Sequence, residues 1–178
     1  MDDRKNLVVL VDEHDREIGT EDKLRAHQNG GMLHRAISIF VFNARGETML
    51  QQRAMSKYHT PGRWTNTCCS HPYPNESVID AAHRRLREEM GFDCEMNEAF
   101  AFTYLADVGN GLTESEFDHV IFGAYDKDPE PNPEEAMSYR WIGLEGLKKE
   151  IEQNPDAFTP WLRIVLDKVI DYRKNGRA

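Results

Sequence analysis

Cysteine is scarce. The chain of 178 residues has three, Cys68, Cys69 and Cys94, and two of them are adjacent. No disulfide framework can be built from that set, so reduced thiols in a reducing compartment are expected. Long apolar runs are missing too, and none approaches the ~20 residues that cross a bilayer. The opening Met1-Asp2-Asp3-Arg4-Lys5-Asn6 has neither the basic nor the apolar region of a signal peptide. These absences lead to the expectation of a cytoplasmic protein that does not engage membranes. Excess positive charge is also lacking. The formal net charge is −9, a field that disfavours general nucleic-acid binding but allows an anionic ligand where basic residues cluster. There is no internal repeat, no low-complexity tract, and no HExxH or CxxC pattern.

What is present suits one domain over residues 1–178. Hydrophobic residues make up 39% and charged residues 30%, enough apolar material for a real core at this length. Residues 7–11 read as a strand, and residues 34–42, rich in β-branched and aromatic side chains, read as a central one. Asn43-Ala44-Arg45-Gly46 is a turn that joins it to a strand over 47–53 as a hairpin. Residues 77–90 read as a helix, with Ser77 and Asp80 approximating a capping box and Gly91 as the stop. Val78, Ala82, Leu86 and Met90 form its buried stripe. Further strands are expected over 100–106, 117–125 and 137–142, separated by a proline-rich acidic loop over 126–135. A last helix starts after Thr159 with Pro160 in its first turn. Mixed strands and a few helices imply an α/β (α+β) fold, a sandwich with helices on both sides of a mixed sheet.

The chemistry concentrates in Thr65-Asn66-Thr67-Cys68-Cys69-Ser70-His71-Pro72, which sets a thiol two residues from a histidine. His27, His34 and His71 offer three neutral nitrogen ligands. Glu114-Ser115-Glu116 adds two carboxylates that strand alternation puts on one face. This His3Glu2 set could fill a six-coordinate divalent site, and it suits zinc or manganese better than magnesium held by protein alone. Taken singly, each histidine is more simply a surface residue, and Cys69 more simply a buried inert thiol. The set carries the argument.

These motifs, together with Trp64 before the cysteine segment and Thr113 before Glu114, resemble those of the type 1 isopentenyl diphosphate isomerases of the Nudix superfamily. The likeness runs from about Leu7 to Tyr172. It implies a Nudix-like α/β/α sandwich and assigns His27, His34, His71, Glu114 and Glu116 as ligands of Mn2+, Zn2+ or Mg2+. It also implies Cys69 as the active-site thiol. The Nudix signature, Gly-x5-Glu-x7-Arg-Glu-x2-Glu-Glu-x-Gly, is matched by Glu76, Arg84, Glu88, Glu89 and Gly91. Ser70 stands in place of the leading glycine. Arg85 stands in place of a glutamate that helps bind the magnesium used for diphosphate cleavage. A cation there should weaken hydrolysis and favour holding an intact diphosphate.

By the same resemblance, Lys23, Arg53, Lys57 and Arg85 grip a small allylic or homoallylic diphosphate. Glu89, one turn after Arg85, helps hold a Mg2+ bound with that diphosphate. The implied reaction is a 1,3-proton shift between isopentenyl and dimethylallyl diphosphate through a tertiary carbocation. Cys69 and Glu116 are the acid–base pair, Tyr104 hydrogen-bonds Glu116, and Trp161 stabilises the cation. Trp64 is expected on the pocket floor. The protein is expected to be a monomer or weak dimer. The competing reading is a Nudix hydrolase acting on a nucleoside diphosphate derivative.

Overall fold

The computed structural model describes residues 3–176. Among these, nine strands form one mixed sheet: β1 (Leu7–Val11), β2 (Glu17–Asp22), β3 (His34–Phe42), β4 (Glu47–Arg53), β5 (Trp64–Thr65), β6 (Cys68–Ser70), β7 (Met96–Gly109), β8 (Leu112–Ala124) and β9 (Ala136–Gly143). The helices are α1 (Lys23–Ala26), α2 (Val78–Met90), α3 (Leu144–Gln153) and α4 (Pro160–Lys174).

The central strand β3 pairs in parallel with β8 and antiparallel with β6. Its side chains alternate between two cores. Ile37, Ile39 and Val41 face Ala81, Ala82, Leu86 and Met90 of α2. Phe40 and Phe42 face Leu162, Val165, Leu166 and Val169 of α4, with Leu147 of α3. The α/β/α sandwich expected from the sequence is the fold observed.

Strands β3 and β4 have the expected bounds, as does the hairpin between them. Helix α2 is capped by Ser77, whose Oγ accepts from Asp80 N at 3.0 Å. The reciprocal half of a capping box is not formed. The Asp80 carboxylate is one methylene shorter than glutamate and instead accepts from the Ser77 hydroxyl at 2.7 Å. Gly91 ends the helix at φ 72°. A Cβ there would meet the Glu130 carbonyl oxygen at 2.3 Å, so no other residue fits without moving the 126–135 loop.

Two strands are much longer than expected. Strands β7 and β8 meet at a tight turn through Asn110 and Gly111, both at positive φ, the geometry that two-residue hairpins favour. Acidic and threonine side chains on the paired segments hide the strand pattern. The strand β2 and helix α3 were not expected. β2 is an exposed, polar edge strand with little hydrophobic alternation.

Candidate functional site

The site forms where the N-terminal end of β3 meets β8. In the parallel ladder His34 lies opposite Glu116, and four residues along β3 Ser38 lies opposite Cys69 of β6. Alternation on β8 sends Glu114, Glu116 and Asp118 to one face, all of them buried. The turn after α1 brings His27 alongside, fixed by Thr113 N donating to the His27 carbonyl at 2.8 Å. Gly31, at φ 80°, permits this approach, because a Cβ there would lie 2.9 Å from the Ser115 Cβ.

His27, His34, His71, Glu114 and Glu116 converge so that one ligand atom from each lies within 4.8 Å of all the others. The orientation of two rings is set from behind. His27 Nδ1 contacts the Lys23 carbonyl oxygen at 2.6 Å and His34 Nδ1 the Met32 carbonyl oxygen at 2.7 Å. Carbonyl groups only accept, so each Nδ1 carries a proton and each Nε2 is turned to the centre as the ligand atom, His27 Nε2 lying 2.8 Å from Glu114 Oε2. His34 Nε2 and His71 Nε2 are 3.1 Å apart, and His71 Nε2 is 2.9 Å from Glu116 Oε1. Lone pairs and carboxylates converging in a buried space repel one another without a cation between them. The donor set therefore fits a metal ion, and the cluster is a candidate metal site. Burial, with Lys23, His34 and His27 nearby, holds His71 well below the usual imidazole range, which keeps its lone pair free.

A cleft opens beside this cluster. Its lining includes Lys23, Arg53, Lys57, Cys69, His71, Arg85, Glu89, Tyr104, Glu114, Glu116 and Trp161. Apart from Trp64, the site residues singled out from the sequence thus come together, with His27 and His34 in the adjoining His/Glu cluster. The Tyr104 hydroxyl donates to Glu116 Oε2 at 2.5 Å. Burial and the Glu116 charge push that phenol well above its usual value, so it stays a donor. The Cys69 Sγ–H donates to Asn66 Oδ1 at 3.0 Å. Burial, and then the Asp118 carboxylate, raise its pKa strongly, which favours the protonated thiol.

Arg85 donates to Glu89 at 2.6 Å and to Glu135 at 3.2 Å, and Lys57 is also paired with Glu135. Glu89 is buried, so the Arg85–Glu89 pair is part of the cleft wall rather than a surface ion pair. Arg53 donates to the His59 and Thr60 carbonyl oxygens at 3.1 and 3.2 Å and lies 5.3 Å above the Trp161 ring centroid. It braces the 54–62 loop as well as facing the cleft. Trp64 is misplaced by the sequence reading. Its ring lies under the Arg140 guanidinium, 4.7 Å away, outside the cleft.

Several residues in or beside the cleft escaped sequence reasoning. Asp118 continues the Glu114, Glu116 alternation and accepts from Ser38 Oγ at 2.7 Å; the two-residue period would have found it. Tyr58 and His59 reach the cleft on a loop with no periodicity to signal them. Burial, and then Arg53, hold His59 down at about 4, so its ring is neutral. It lies edge-on to Trp161 at 5.8 Å between ring centroids.

The NUDIX domain family matches residues 32–162. The isopentenyl-diphosphate Delta-isomerase 2 of Aromatoleum aromaticum is 54% identical over 173 residues, covering 97% of this chain and 91% of that protein. The chain belongs to the isopentenyl-diphosphate Delta-isomerase family. The isomerase of Serratia proteamaculans is 48% identical, covering 90% of this chain and 89% of its own length. Among solved structures, a protein from Deinococcus radiodurans matches with a TM-score of 0.76 at 20% identity, covering 91% of this chain and 98% of that one. An Ap4A hydrolase from C. elegans matches with a TM-score of 0.58 at 20% identity, covering 79% and 98%. These two share the fold.

Proposed function

We propose that the chain interconverts isopentenyl and dimethylallyl diphosphate, the reaction of its family and a step in isoprenoid biosynthesis. The convergence of Cys69, Tyr104–Glu116, Trp161 and a basic wall in one cleft is the observation that carries this reading.

Lys23, Arg53, Lys57 and Arg85 bind the diphosphate and place the five-carbon skeleton toward Cys69 and Trp161. Burial, along with Arg85 and Lys57, lowers the Lys23 ammonium even though Glu114 opposes it. Cations crowded in this way favour an incoming anion. The skeleton then lies between a thiol and a carboxylate, away from bulk water. One of the pair adds a proton to the terminal CH2 of the double bond, which becomes a methyl group and leaves a tertiary cation. The other removes a proton from the neighbouring CH2, and the double bond re-forms one position along. One proton enters and one leaves, so substrate and product have the same composition. Tyr104 holds Glu116 in place by its hydrogen bond. The Trp161 π face stabilises the cation by about 0.5 to 2 kcal/mol.

When bound, Mn2+, Zn2+ or Mg2+ at the His3Glu2 cluster and Mg2+ on the diphosphate, with Glu89 helping to hold it, supply positive charge to the Glu116 carboxylate and the phosphate oxygens. Arg85 in the Nudix helix supports holding the diphosphate over cleaving it. Residues 1–178 act as one domain, since Lys23 and His27 lie outside the matched segment 32–162 yet join the same site. Every proposed group comes from one chain, which supports a monomer or weak dimer. Three free cysteines support a reducing, cytoplasmic setting. No helix of the described residues is long and apolar enough to cross a membrane, and the net charge of −9 opposes nucleic-acid binding.

The test is incubation of the purified protein and magnesium with isopentenyl diphosphate. Dimethylallyl diphosphate should accumulate with its diphosphate intact. Release of phosphate or pyrophosphate in its place, or no product with any of the three metals, overturns the reading.

A further inference from the structure

Cys69 lies on β6 and Trp161 in the first turn of α4, yet one chain of hydrogen bonds joins them. The Cys69 thiol donates to Asn66 Oδ1 at 3.0 Å, and the Thr65 hydroxyl donates to the same oxygen at 3.0 Å. Trp161 Nε1–H donates to Thr65 Oγ1 at 2.8 Å. Thr159 Oγ1 donates to that same hydroxyl at 2.9 Å. Thr65, Asn66, Thr159 and Trp161 are all buried.

The network has no spare capacity. A threonine hydroxyl has one proton and two lone pairs, and Thr65 uses all three. The Asn66 amide nitrogen donates to the Ile39 and Cys68 carbonyl oxygens at 3.1 and 3.0 Å. That choice of partners fixes which end of the amide faces the thiol. A buried network satisfied in this way holds its members in one geometry.

One member gives up a local role to belong to it. Thr159 is the N-cap residue of α4 and has the extended backbone of a cap, φ −68° and ψ 148°, yet it makes no side-chain cap bond. Such a bond typically stabilises a helix. The hydroxyl points to Thr65 instead. The apolar face of α4 needs no such diversion to pack on β3. A broken local rule without a packing gain marks a functional demand.

We propose that Thr65 and Asn66 are positioning residues for the isomerisation: they set the gap between the Cys69 thiol and the Trp161 indole. Neither lines the cleft. The proposal rests on the reading that Cys69 and Trp161 face the hydrocarbon. A five-carbon skeleton has few contacts to orient it, so the spacing of those two groups must be built in. Misplacing a reacting group by about 1 Å can cost on the order of a hundredfold in rate.

Thr65→Val keeps the side-chain shape and removes the hydroxyl. The expected result is a fall in kcat of about tenfold or more, with KM and inhibition by inorganic pyrophosphate within about twofold of wild type. Thr65→Ser should keep most of the wild-type kcat. The losses in Thr65→Val and Trp161→Phe should combine to less than their product, because both break the same chain. Wild-type kcat in Thr65→Val overturns the proposal. So does an equal loss in Thr65→Ser, or full multiplicativity with Trp161→Phe.

Should Thr65→Val not fold, the wild-type protein carries the test. Its Trp161 indole N–H signal, identified by its loss in Trp161→Phe, should exchange slowly with solvent. Exchange as fast as in a free indole overturns the chain of bonds. A wild-type protein that does not isomerise isopentenyl diphosphate contradicts the function above, whereas this exchange measurement still reports on the positioning chain.

Discussion

Strands β3 and β8 run side by side from His34↔Glu116 to Phe42↔Ala124, and the two ends of that ladder differ in kind. At the far end Phe40, Phe42 and Val120 pack on Leu162, Val165 and Leu166 of α4. At the near end the same faces carry His34, Ser38, Glu114, Glu116 and Asp118, all buried. The backbone pairing is the same and the burial is the same. The apolar end is complete once folded. The polar end gathers ionisable groups that folding by itself leaves costly, and a cation and an anionic substrate would complete it. The sandwich stabilises the far end well enough to support an unfavourable near end.

The largest effect that sharpens this contrast is expected at the near end. Cys69→Ala should lower kcat by about 10³-fold or more, within the range of acid–base groups, while pyrophosphate still binds as an inhibitor. It should barely move the melting temperature. Undiminished turnover in that variant removes Cys69 from the chemistry.

The far end should behave in the opposite way. Phe40 is fully buried, and Phe40→Ala should cost about 3–5 kcal/mol of stability, roughly 10 °C in melting temperature at this size. Turnover per folded molecule should stay near wild type. A variant that melts normally but loses turnover would show that the two ends are not separable.

How much of this was legible beforehand depended on which end a residue serves. The β-branched and aromatic run of β3 and the four-residue stripe of α2 appear in single windows of sequence, so both elements were placed well. The near end was legible where the chemistry was unusual, as in Cys69-Ser70-His71 and in Arg85 within the Nudix helix. It was illegible where ordinary residues do the holding. Thr65 and Asn66 matter through partners about 95 residues away in α4 or on neighbouring strands, and no local pattern carries that. His59 arrives on an irregular loop. Trp64, beside the motif, was drawn into the pocket by proximity in sequence, but its strand turns the ring toward Arg140.

A smaller effect is expected from the metal. Dialysis against a chelator should lower the melting temperature by roughly 5–10 °C, since a ligand at about 100 times its Kd contributes about 2.7 kcal/mol. Adding back Mn2+, Zn2+ or Mg2+ should restore it. The shift should be absent in His34→Gln. An unchanged melting curve on chelation of the wild-type protein contradicts a metal at the near end.

The smallest effect lies outside both ends. Burial pushes Glu76 up, but Arg84, donating at 2.7 Å to each carboxylate oxygen, and Tyr73 N outweigh it and leave its pKa lowered. A depressed folded pKa contributes stability that is present above the unfolded value of about 4.3 and is lost as pH falls through the folded value. Glu76→Gln should therefore flatten the acid side of the stability profile and leave the neutral and alkaline sides parallel to wild type. The partly exposed pair is screened, so the change should stay below about 1 kcal/mol. An unaltered acid limb would show that the ion pair contributes nothing.

The central claim is that the near end moves a proton across an allylic diphosphate and leaves the diphosphate whole. NMR of isopentenyl diphosphate incubated with the protein and magnesium in deuterated water tests it most directly. Dimethylallyl diphosphate carrying deuterium in a methyl group, with no free phosphate or pyrophosphate, is the predicted result. An unlabelled, unchanged substrate, or loss of the diphosphate, would contradict it.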